Sequence, residues 1–375
     1  MCSPVIAVVG AGFSGSLVAL HLQDCCPPGT RIVLIERSGR FGPGLAHAID
    51  QADNLLNVTA RRMSAFPDRP TDFADWLQRQ PPAVLQGVVP ADEAFVPRRL
   101  YGAYLTDLVQ QGVAKAGRNR LTLRHAQVMA VTKTANGMLL ELQDDVPSRA
   151  GSPTQMQADV VVLATGNGPT LPPFDVSALA RAGLWRADPW DPAALAGLAP
   201  DASVLMIGSG LTMVDVAMQL LQAGHIGPMI ALSRTGKLPN AHLDPAPPAH
   251  QLPMPLPSAL VAKLRVLRRE AKRAQDLGQP WHGVIDALRS SVRDSWYGLS
   301  LDDKRRFVRH LRTWWDIHHH RMAPSSATHI LGAVSSGQIQ IRGGRVEWAE
   351  AVGGQARVHY RRRGDEARMQ IDAAR

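Results

Sequence analysis

The stretch Pro4–Gly15, PVIAVVGAGFSG, combines an apolar run with glycines at positions 10, 12 and 15. Apolar residues at helical spacing follow it, so the pattern predicts a strand, a tight turn and a helix. A second apolar run, RIVLI over residues 31–35, ends in Glu36. Together these segments predict a βαβ unit, which requires a parallel sheet and places the chain in the α/β class.

The spacing of Gly10, Gly12 and Gly15 is typical of a turn that binds a dinucleotide. Such glycines permit a tight turn, a close approach of the backbone to a pyrophosphate, and close packing of the helix whose N-terminus faces the phosphates. Glu36 lies 21 residues beyond Gly15, where an acidic side chain accepts hydrogen bonds from an adenosine ribose. The pattern therefore predicts a dinucleotide site, and a glycine-rich turn without a ligand is the alternative.

The pattern recurs later in the chain. The apolar run VLMI over residues 204–207 precedes Gly208-Ser209-Gly210, and a helix is predicted over residues 211–222 before a strand over 229–232. Met213 stands where a third glycine would stand, so we expect this helix to lie slightly farther from its strand. The second turn therefore matches the dinucleotide pattern less closely than the first.

The residues after the second strand differ in charge between the two halves. Ser233 and Arg234 stand where the first half has Glu36. A guanidinium at this place can pair with a 2′-phosphate, which favours NADP(H) over NAD(H). Lys237 could assist, unless it is simply an exposed loop lysine. We therefore predict FAD at the first turn and NADP(H) at the second, with hydride transfer from the nicotinamide to the flavin.

The composition favours a folded protein of more than one domain. The chain has 375 residues, 45% of them hydrophobic and 19% charged, which suggests two or three domains with ample core. No apolar run approaches the ~18 residues of a membrane span, and no charged leader precedes Pro4. We therefore expect a cytoplasmic protein without a membrane partner. Cysteines occur only at positions 2, 25 and 26, too few for a disulfide framework.

The net charge of +9 is concentrated in the last third of the chain. Residues 260–321 hold 14 basic against 7 acidic residues, whereas residues 1–259 are nearly neutral. We interpret the basic segment as a solvated helical face rather than as a nucleic-acid surface. His318, His319 and His320 do not predict a metal site, because successive residues of a helix point about 100° apart. No arrangement typical of a hydrolase is found.

Nine motifs taken together resemble a known family. They are similar to those of bacterial FAD/NAD(P)-binding proteins related to class B flavin monooxygenases and N-hydroxylases, and they span nearly the whole chain. The motifs are GAGFSG (10–15), IER (35–37), FGPGLA (41–46), LLNVTARRMSAFPD (55–68), FVPRRLYGAYL (95–105), VLATGN (162–167), MIGSGLTMVD (206–215), LSRTGKLPNAH (232–242) and WWDIHHHRMAP (314–324).

The resemblance implies two Rossmann-like dinucleotide-binding domains with parallel sheets and β-meanders, plus an Arg-rich helical segment. Residues 1–168 would form the first part of an FAD-binding domain. Residues 169–342 would form an inserted NADP-binding domain, with a loop that holds seven prolines and the helical segment 258–321. Residues 343–375 would return to the FAD-binding domain and stop before its last strand. In the tail, strands predicted over 338–341, 345–348 and 357–361 repeat an earlier meander.

The resemblance also implies roles for individual residues. Asn57 would be catalytic, beside the reactive edge of the flavin, unless it is a turn asparagine that supports the backbone. Val128 would contact the adenine of FAD through its main chain, and Thr165 with Gly166 would form the hinge between domains. The predicted cofactor-binding residues are Gly10, Gly12, Phe13, Ser14, Gly15, Glu36, Arg37, Gly44, Met63, Ser64, Val128, Thr165, Gly166, Gly208, Ser209, Gly210, Thr212, Ser233 and Arg234.

Three functions follow from these observations. The first is a monooxygenase in which NADPH reduces FAD, and O2 then reacts through a peroxyflavin with a small-molecule substrate. The second is an NAD(P)H:flavin oxidoreductase that inserts no oxygen. The third is a truncated, non-catalytic protein whose basic last third binds an acidic partner. The sequence predicts neither the substrate nor the oligomeric state.

Overall fold

The computed structural model describes residues 3–47, 54–115, 119–144, 154–168, 170–191, 193–362, 365 and 367–375. The chain divides into two compact units, Met1–Thr170 and Leu171–Arg375. Residue 169, the expected first residue of the second domain, lies outside the described residues.

The first unit alternates strands and helices as its apolar runs predict. The predicted strands at 4–9 and 31–35 are present, because both runs are apolar enough to be buried on two faces of a sheet. Its elements are β1 (Val5–Val9), α1 (Phe13–Cys25), β2 (Arg31–Glu36), α2 (Gly44–His47), α3 (Asp72–Gln78), α4 (Pro82–Leu85), α5 (Arg98–Ala114), β3 (Arg120–Thr134), β4 (Gly137–Asp144), β5 (Thr154–Ala158) and β6 (Val160–Leu163).

A single six-stranded sheet organises this unit, in the order β5-β4-β3-β2-β1-β6. Strands β3, β2, β1 and β6 run parallel, and β3, β4 and β5 form an antiparallel meander. The 15-residue strand β3 belongs to both parts. The carboxyl ends of β1, β2 and β6 therefore meet at one edge, which is where parallel sheets bind ligands.

Three apolar clusters hold the first unit together, and two of them lie beside the glycine turn. One lies between the sheet and α1, and includes Val8, Ala19 and Leu34. The other joins α1, α3 and α5 through a set of aromatic rings, in which Phe73 and Tyr101 meet edge to face at 5.0 Å. These clusters pack α1 and α5 against each other and against the sheet.

After one short helix, the second unit has the same order of strand, helix and strand. Its predicted strand at 204–207 and helix at 211–222 have the bounds that the sequence predicts. Its elements are α6 (Ser177–Arg181), β7 (Val204–Ile207), α7 (Leu211–Gln222), β8 (Met229–Ser233), α8 (Leu260–Asp276), α9 (His282–Ala287), α10 (Val292–Tyr297), α11 (Leu301–Arg306), α12 (Arg312–His319), α13 (Pro324–Ser335), β9 (Ile339–Gly343), β10 (Arg345–Val352), β11 (Gln355–Arg361) and β12 (Arg368–Ala373).

The second unit has two three-stranded sheets, a parallel one in the order β7-β8-β9 and an antiparallel one in the order β10-β11-β12. The strand predicted near 338–341 is β9, which pairs in parallel with β8 instead of joining the meander. Residues 343–375 were expected in the FAD-binding domain, but the structure places them in the second unit. The reason is apolar packing, since Val358, Tyr360 and Ile371 bury their side chains against Ile230 and Leu232 of β8.

Five helices, α8 to α12, lie between β8 and β9 along the chain and make up the basic segment. A five-residue π-helical turn, Phe307–Leu311, joins α11 to α12. No helix within the described ranges is both long enough and apolar enough to cross a membrane.

Candidate nucleotide-binding sites

The first glycine turn is closely packed against its own backbone. Gly10 has a φ of +96° and donates its N–H to the carbonyl of Ile35 at 2.8 Å. A Cβ on Gly10 would lie 2.3 Å from the carbonyl oxygen of Ala164, and one on Gly15 would lie 1.8 Å from the carbonyl oxygen of Gly10. Only glycine fits at either position, because a side chain would overlap the backbone.

Helix α1 begins directly at this turn. Gly12 is its N-cap, and Phe13, Ser14 and Gly15 form its first turn. The first N–H groups of a helix have no acceptor within the helix, and Gly12 has no side chain that could supply one. A Cβ on Gly12 would lie 3.4 Å from the Cα of Gly44, so two glycines approach each other closely at the start of the helix. The geometry fits a pyrophosphate at the N-terminus of α1.

The carboxylate of Glu36 is held at the same edge. Its Oε2 accepts a hydrogen bond from the backbone N–H of Ala11 at 2.8 Å, and its Oε1 accepts from the N–H and hydroxyl of Ser38 at 3.0 and 2.9 Å. A carboxylate offers about four acceptor sites, so capacity remains for a sugar hydroxyl. The side chain of Arg37 is exposed, and its carbonyl oxygen lies 3.0 Å from Nε2 of His125. Glu36 thus fits the ribose role, whereas Arg37 is fixed only through its backbone.

Three other predicted residues lie on or shortly after strands of the same sheet. Thr165 and Gly166 come one residue after the end of β6, and the backbone N of Thr165 lies 3.3 Å from the position of a Cβ on Gly10. Both residues are exposed. Val128 lies on β3 at a β-bulge, where the pairing with β4 shifts by one residue. The structure therefore brings Thr165 next to the glycine turn and places Val128 farther along the sheet.

The segment around Asn57 packs beside α1. Met63 contacts the aromatic cluster, and the hydroxyl of Ser64 bonds to the carbonyl oxygens of Phe66 and Arg69, so it stabilises a local turn. Phe66 also meets the ring of His21 on α1 at 5.8 Å. Asn57 is half-buried between a bridge that pairs Leu55 with Pro97 and a short 3-10 turn.

The sequence analysis did not identify two polar side chains of this region as candidate site residues. His47, at the end of α2, packs against Tyr101 at 4.9 Å; burial and, second, Arg98 lower its pKa from 6.5 to about 4. Asn54 is 5% exposed, and among the described residues neither polar atom of its amide has a hydrogen-bond partner. No local pattern distinguishes a buried asparagine from an exposed one, so the sequence held no signal for Asn54.

The second glycine turn is more open than the first. Gly208 has a φ of +120° and donates its N–H to the carbonyl of Leu232 at 2.9 Å. Gly210 is the N-cap of α7, and a Cβ on Gly208 or Gly210 would have no atom within 4 Å. Thr212, in the first turn of the helix, is exposed. This open space over a helix N-terminus fits a phosphate group.

A network of hydroxyls joins the second turn to the loop after β8. The Oγ atoms of Ser209 and Ser233 are 2.8 Å apart, and Ser209 Oγ lies 2.7 Å from the carbonyl oxygen of Lys237. Ser233 Oγ also accepts a hydrogen bond from the N–H of Gly236 at 3.0 Å. Both serine side chains are therefore used to hold the two loops together.

Arg234 supplies the positive charge at this edge. It follows β8 directly, its side chain is exposed, and it makes no ion pair within the part of the chain that the structure describes. An exposed guanidinium that no carboxylate neutralises fits a 2′-phosphate.

The three adjacent histidines do not converge. Nδ1 of His318 lies 2.7 Å from the carbonyl oxygen of Trp314, and the ring of His319 stacks on Trp315 at 4.4 Å. Burial and, second, Arg289 lower the pKa of His319 from 6.5 to about 4. In the described ranges, no group of three or more His, Cys, Asp or Glu side chains is placed to hold a metal ion.

Each of the two units places a glycine turn at the carboxyl edge of a parallel sheet, which is where α/β sheets bind nucleotides. A family model described as FAD-NAD(P)-binding matches residues 7–168. That part of the chain is therefore an FAD/NAD(P)-binding domain, as the motifs of the first half indicate. A search of curated proteins found no match.

The whole chain shares its fold with N-hydroxylating flavin monooxygenases. An ornithine N-hydroxylase from Kutzneria sp. 744 is 14% identical with a TM-score of 0.61, over 99% of this chain and 79% of that one. The ornithine hydroxylase of Pseudomonas aeruginosa is 14% identical with a TM-score of 0.60, over 100% and 80%. A cadaverine monooxygenase from Erwinia amylovora, solved with FAD, is 10% identical with a TM-score of 0.60, over 98% and 76%. At these identities the likeness establishes the fold.

Proposed function

We propose that the protein is an FAD-dependent oxidoreductase that uses NADPH, with FAD in the first unit and NADPH in the second. The observation that carries the proposal is the pair of charges at equivalent places. Glu36 ends β2 in the first unit, and Arg234, which makes no ion pair with any described residue, follows β8 in the second. An acid there suits the free ribose hydroxyls of FAD, whereas a guanidinium suits the extra phosphate of NADPH.

The residues of the chain would bind and orient the two nucleotides. The N-terminus of α1 would receive the FAD pyrophosphate, and Glu36 would accept hydrogen bonds from the ribose hydroxyls. The N-terminus of α7 would receive the NADPH pyrophosphate, with Gly210 allowing its close approach. When bound, the flavin supplies the redox chemistry, since it takes a hydride from NADPH and passes electrons to an acceptor.

We further propose that the acceptor is O2 and that one oxygen atom is transferred to a small molecule. The support is the fold, which the chain shares with ornithine and cadaverine monooxygenases. Asn57, in the segment that packs beside α1, is the residue we assign to the reactive edge of the flavin. An NADPH:flavin oxidoreductase without oxygen transfer is the second candidate, because both functions need the same two nucleotide sites.

A visible spectrum tests the first part of the proposal. The full chain should take up FAD and show a flavin band after gel filtration, and NADPH should bleach that band under argon faster than NADH. A colourless protein that does not take up FAD would contradict the proposal and would favour a non-catalytic binding protein.

A peroxide measurement then separates the two candidate reactions. In air, the ratio of H2O2 released to NADPH consumed is measured with and without a panel of small amines. A ratio that falls when one amine is added supports oxygen transfer. A ratio near one with every amine of the panel supports the plain oxidoreductase.

A further inference from the structure

The loop after β8 carries a second cation that the structure holds in place. The Nζ atom of Lys237 lies 4.2 Å from the ring centroid of Trp314, over the face of the indole. Trp314 belongs to α12, in the helical segment inserted between β8 and β9, and its side chain is half exposed. A cation over an aromatic face is attracted by the negative face of the ring, so this contact restricts a long and otherwise flexible side chain.

The backbone of Lys237 is fixed as well. Its carbonyl oxygen lies 2.7 Å from the hydroxyl of Ser209, the residue between the two glycines of the turn. Lys237 therefore touches the glycine turn through its backbone and α12 through its side chain. It stands three residues beyond Arg234, the exposed cation on the same loop.

Helix α12 is itself joined to this loop by hydrogen bonds. The N–H of Asn240 and its side-chain amide both donate to the carbonyl of Ile317 at 2.9 Å. The N–H groups of Met322 and His242 extend the pairing, at 2.8 Å each, into a short parallel bridge between Ala241 and Met322. These hydrogen bonds join the loop to the end of α12, which keeps the indole of Trp314 beside Lys237.

We propose that Trp314 is a positioning residue for nucleotide specificity, which holds Lys237 so that it and Arg234 receive the 2′-phosphate of NADPH together. The proposal rests on the assignment of NADPH to the second unit. The indole occupies one side of the Lys237 ammonium and cannot accept its N–H bonds as an oxyanion would, so charge and donors remain for a phosphate. The inserted helices thus contribute to the recognition of the nucleotide.

Calorimetric titration of the full chain with NADP+ and with NAD+ tests this role, because NAD+ lacks only the 2′-phosphate. Lys237→Met should weaken NADP+ binding about tenfold and leave NAD+ binding unchanged, the usual range for a lost charged hydrogen bond. Trp314→Leu should weaken NADP+ binding about threefold, in keeping with an exposed cation–π contact, and Trp314→Phe should restore most of that loss. In the Lys237→Met background, Trp314→Leu should have no further effect on NADP+ binding.

A matched control is Trp296→Leu. Trp296 is another partly exposed tryptophan of the inserted segment, and its ring lies 5.9 Å from the ammonium of Lys304. We expect this variant to bind both nucleotides as the parent chain does.

Three results would overturn the inference. The first is an equal weakening of NADP+ and NAD+ by Trp314→Leu, which would indicate general damage to the site. The second is an effect of Trp314→Leu on NADP+ binding that persists without Lys237. The third is NADP+ binding that Trp314→Leu leaves unchanged while the parent chain binds NADP+ tightly. Parent protein that binds neither nucleotide would instead overturn the proposed function, and this inference with it.

Discussion

The two glycine turns have the same plan and differ in why they need glycine. In the first unit a Cβ on Gly15 would overlap the carbonyl of Gly10, so the protein itself excludes a side chain. In the second unit the corresponding position holds Met213, which is 4% exposed, and a Cβ on Gly210 would stand in open space. The difference teaches that a glycine of this motif can be required by packing, whereas nothing in the described protein around Gly210 requires one. We attribute Gly210 to the ligand.

The first way to test this difference is Gly15→Ala. An alanine in an exposed helix normally stabilises, but here the new Cβ would lie 1.8 Å from an oxygen, so we expect a loss of about 3 kcal/mol in the free energy of unfolding. Because α1 must move, FAD uptake should also be lost. Denaturant unfolding and the flavin spectrum measure the two effects.

Gly332→Ala is the matched control for that variant. Gly332 lies in α13, and a Cβ there would meet no atom within 4 Å. It should stabilise the chain by up to about 1 kcal/mol. If Gly15→Ala raised the free energy of unfolding as Gly332→Ala should, the close packing described for the first turn would be wrong.

The second test removes the charge that distinguishes the first unit. Glu36→Gln should weaken FAD binding roughly tenfold or more, because an amide cannot accept all the hydrogen bonds of the carboxylate. NADP+ binding should not change, since Glu36 belongs to the first unit. Titration with each nucleotide checks both statements, and an equal loss of both would contradict the assignment of one nucleotide to each unit.

The third test compares a buried histidine in each unit. His47 and His319 both have a pKa lowered from 6.5 to about 4, chiefly by burial. Between pH 6.5 and pH 4, each of these histidines is therefore protonated in the unfolded chain and neutral in the folded chain. The free energy of unfolding is at its full value above pH 6.5 and decreases as the pH falls from 6.5 towards 4. When the pH is lowered from 7 to 5, each histidine should reduce the free energy of unfolding by about 1 to 2 kcal/mol.

Phenylalanine at either position keeps a ring and removes the proton site. His47→Phe and His319→Phe should each reduce the difference in denaturant stability between pH 7 and pH 5. A difference as large as in the parent chain would show that the replaced histidine does not titrate on unfolding.

The smallest effect is expected at the open turn. Gly210→Ala should change the free energy of unfolding by less than about 0.5 kcal/mol, because its Cβ meets no atom of the protein. The same Cβ would occupy the space that we assign to the pyrophosphate, so NADP+ binding should weaken. Unchanged NADP+ binding would mean that the ligand does not approach Gly210 closely.

Local patterns in the sequence were sufficient to predict the central strands of each unit. Short apolar runs that end in glycine turns predict β1, β2 and β7, because burial on both faces and the turn are properties of neighbouring residues. The close contact of Gly10 and Gly15 follows from the same pattern.

Pairings between residues far apart in the sequence could not be predicted from local patterns. Strand β9 pairs with β8, which lies more than a hundred residues earlier in the sequence. The residues of β9 alone therefore do not show that it pairs in parallel with β8. The same holds for the loop after β8, where Lys237 meets Trp314 through an inserted segment. The same reason limits what the sequence predicts for residues 343–375, since the apolar positions of β11 and β12 specify burial but not the partner.

The two units also differ in how their sheets are joined. In the first unit, β3 continues without a break from the parallel sheet into the meander. In the second unit, only Gly344 separates β9 from β10, and the ring of Tyr360 lies directly on it. A continuous strand transmits twist from one sheet to the other, whereas a glycine between two strands allows a change of direction. The N–H of Gly344 donates to the carbonyl of Ser233 at 2.8 Å, so a side chain at position 344 would displace Tyr360 and loosen the attachment of the second meander to β8.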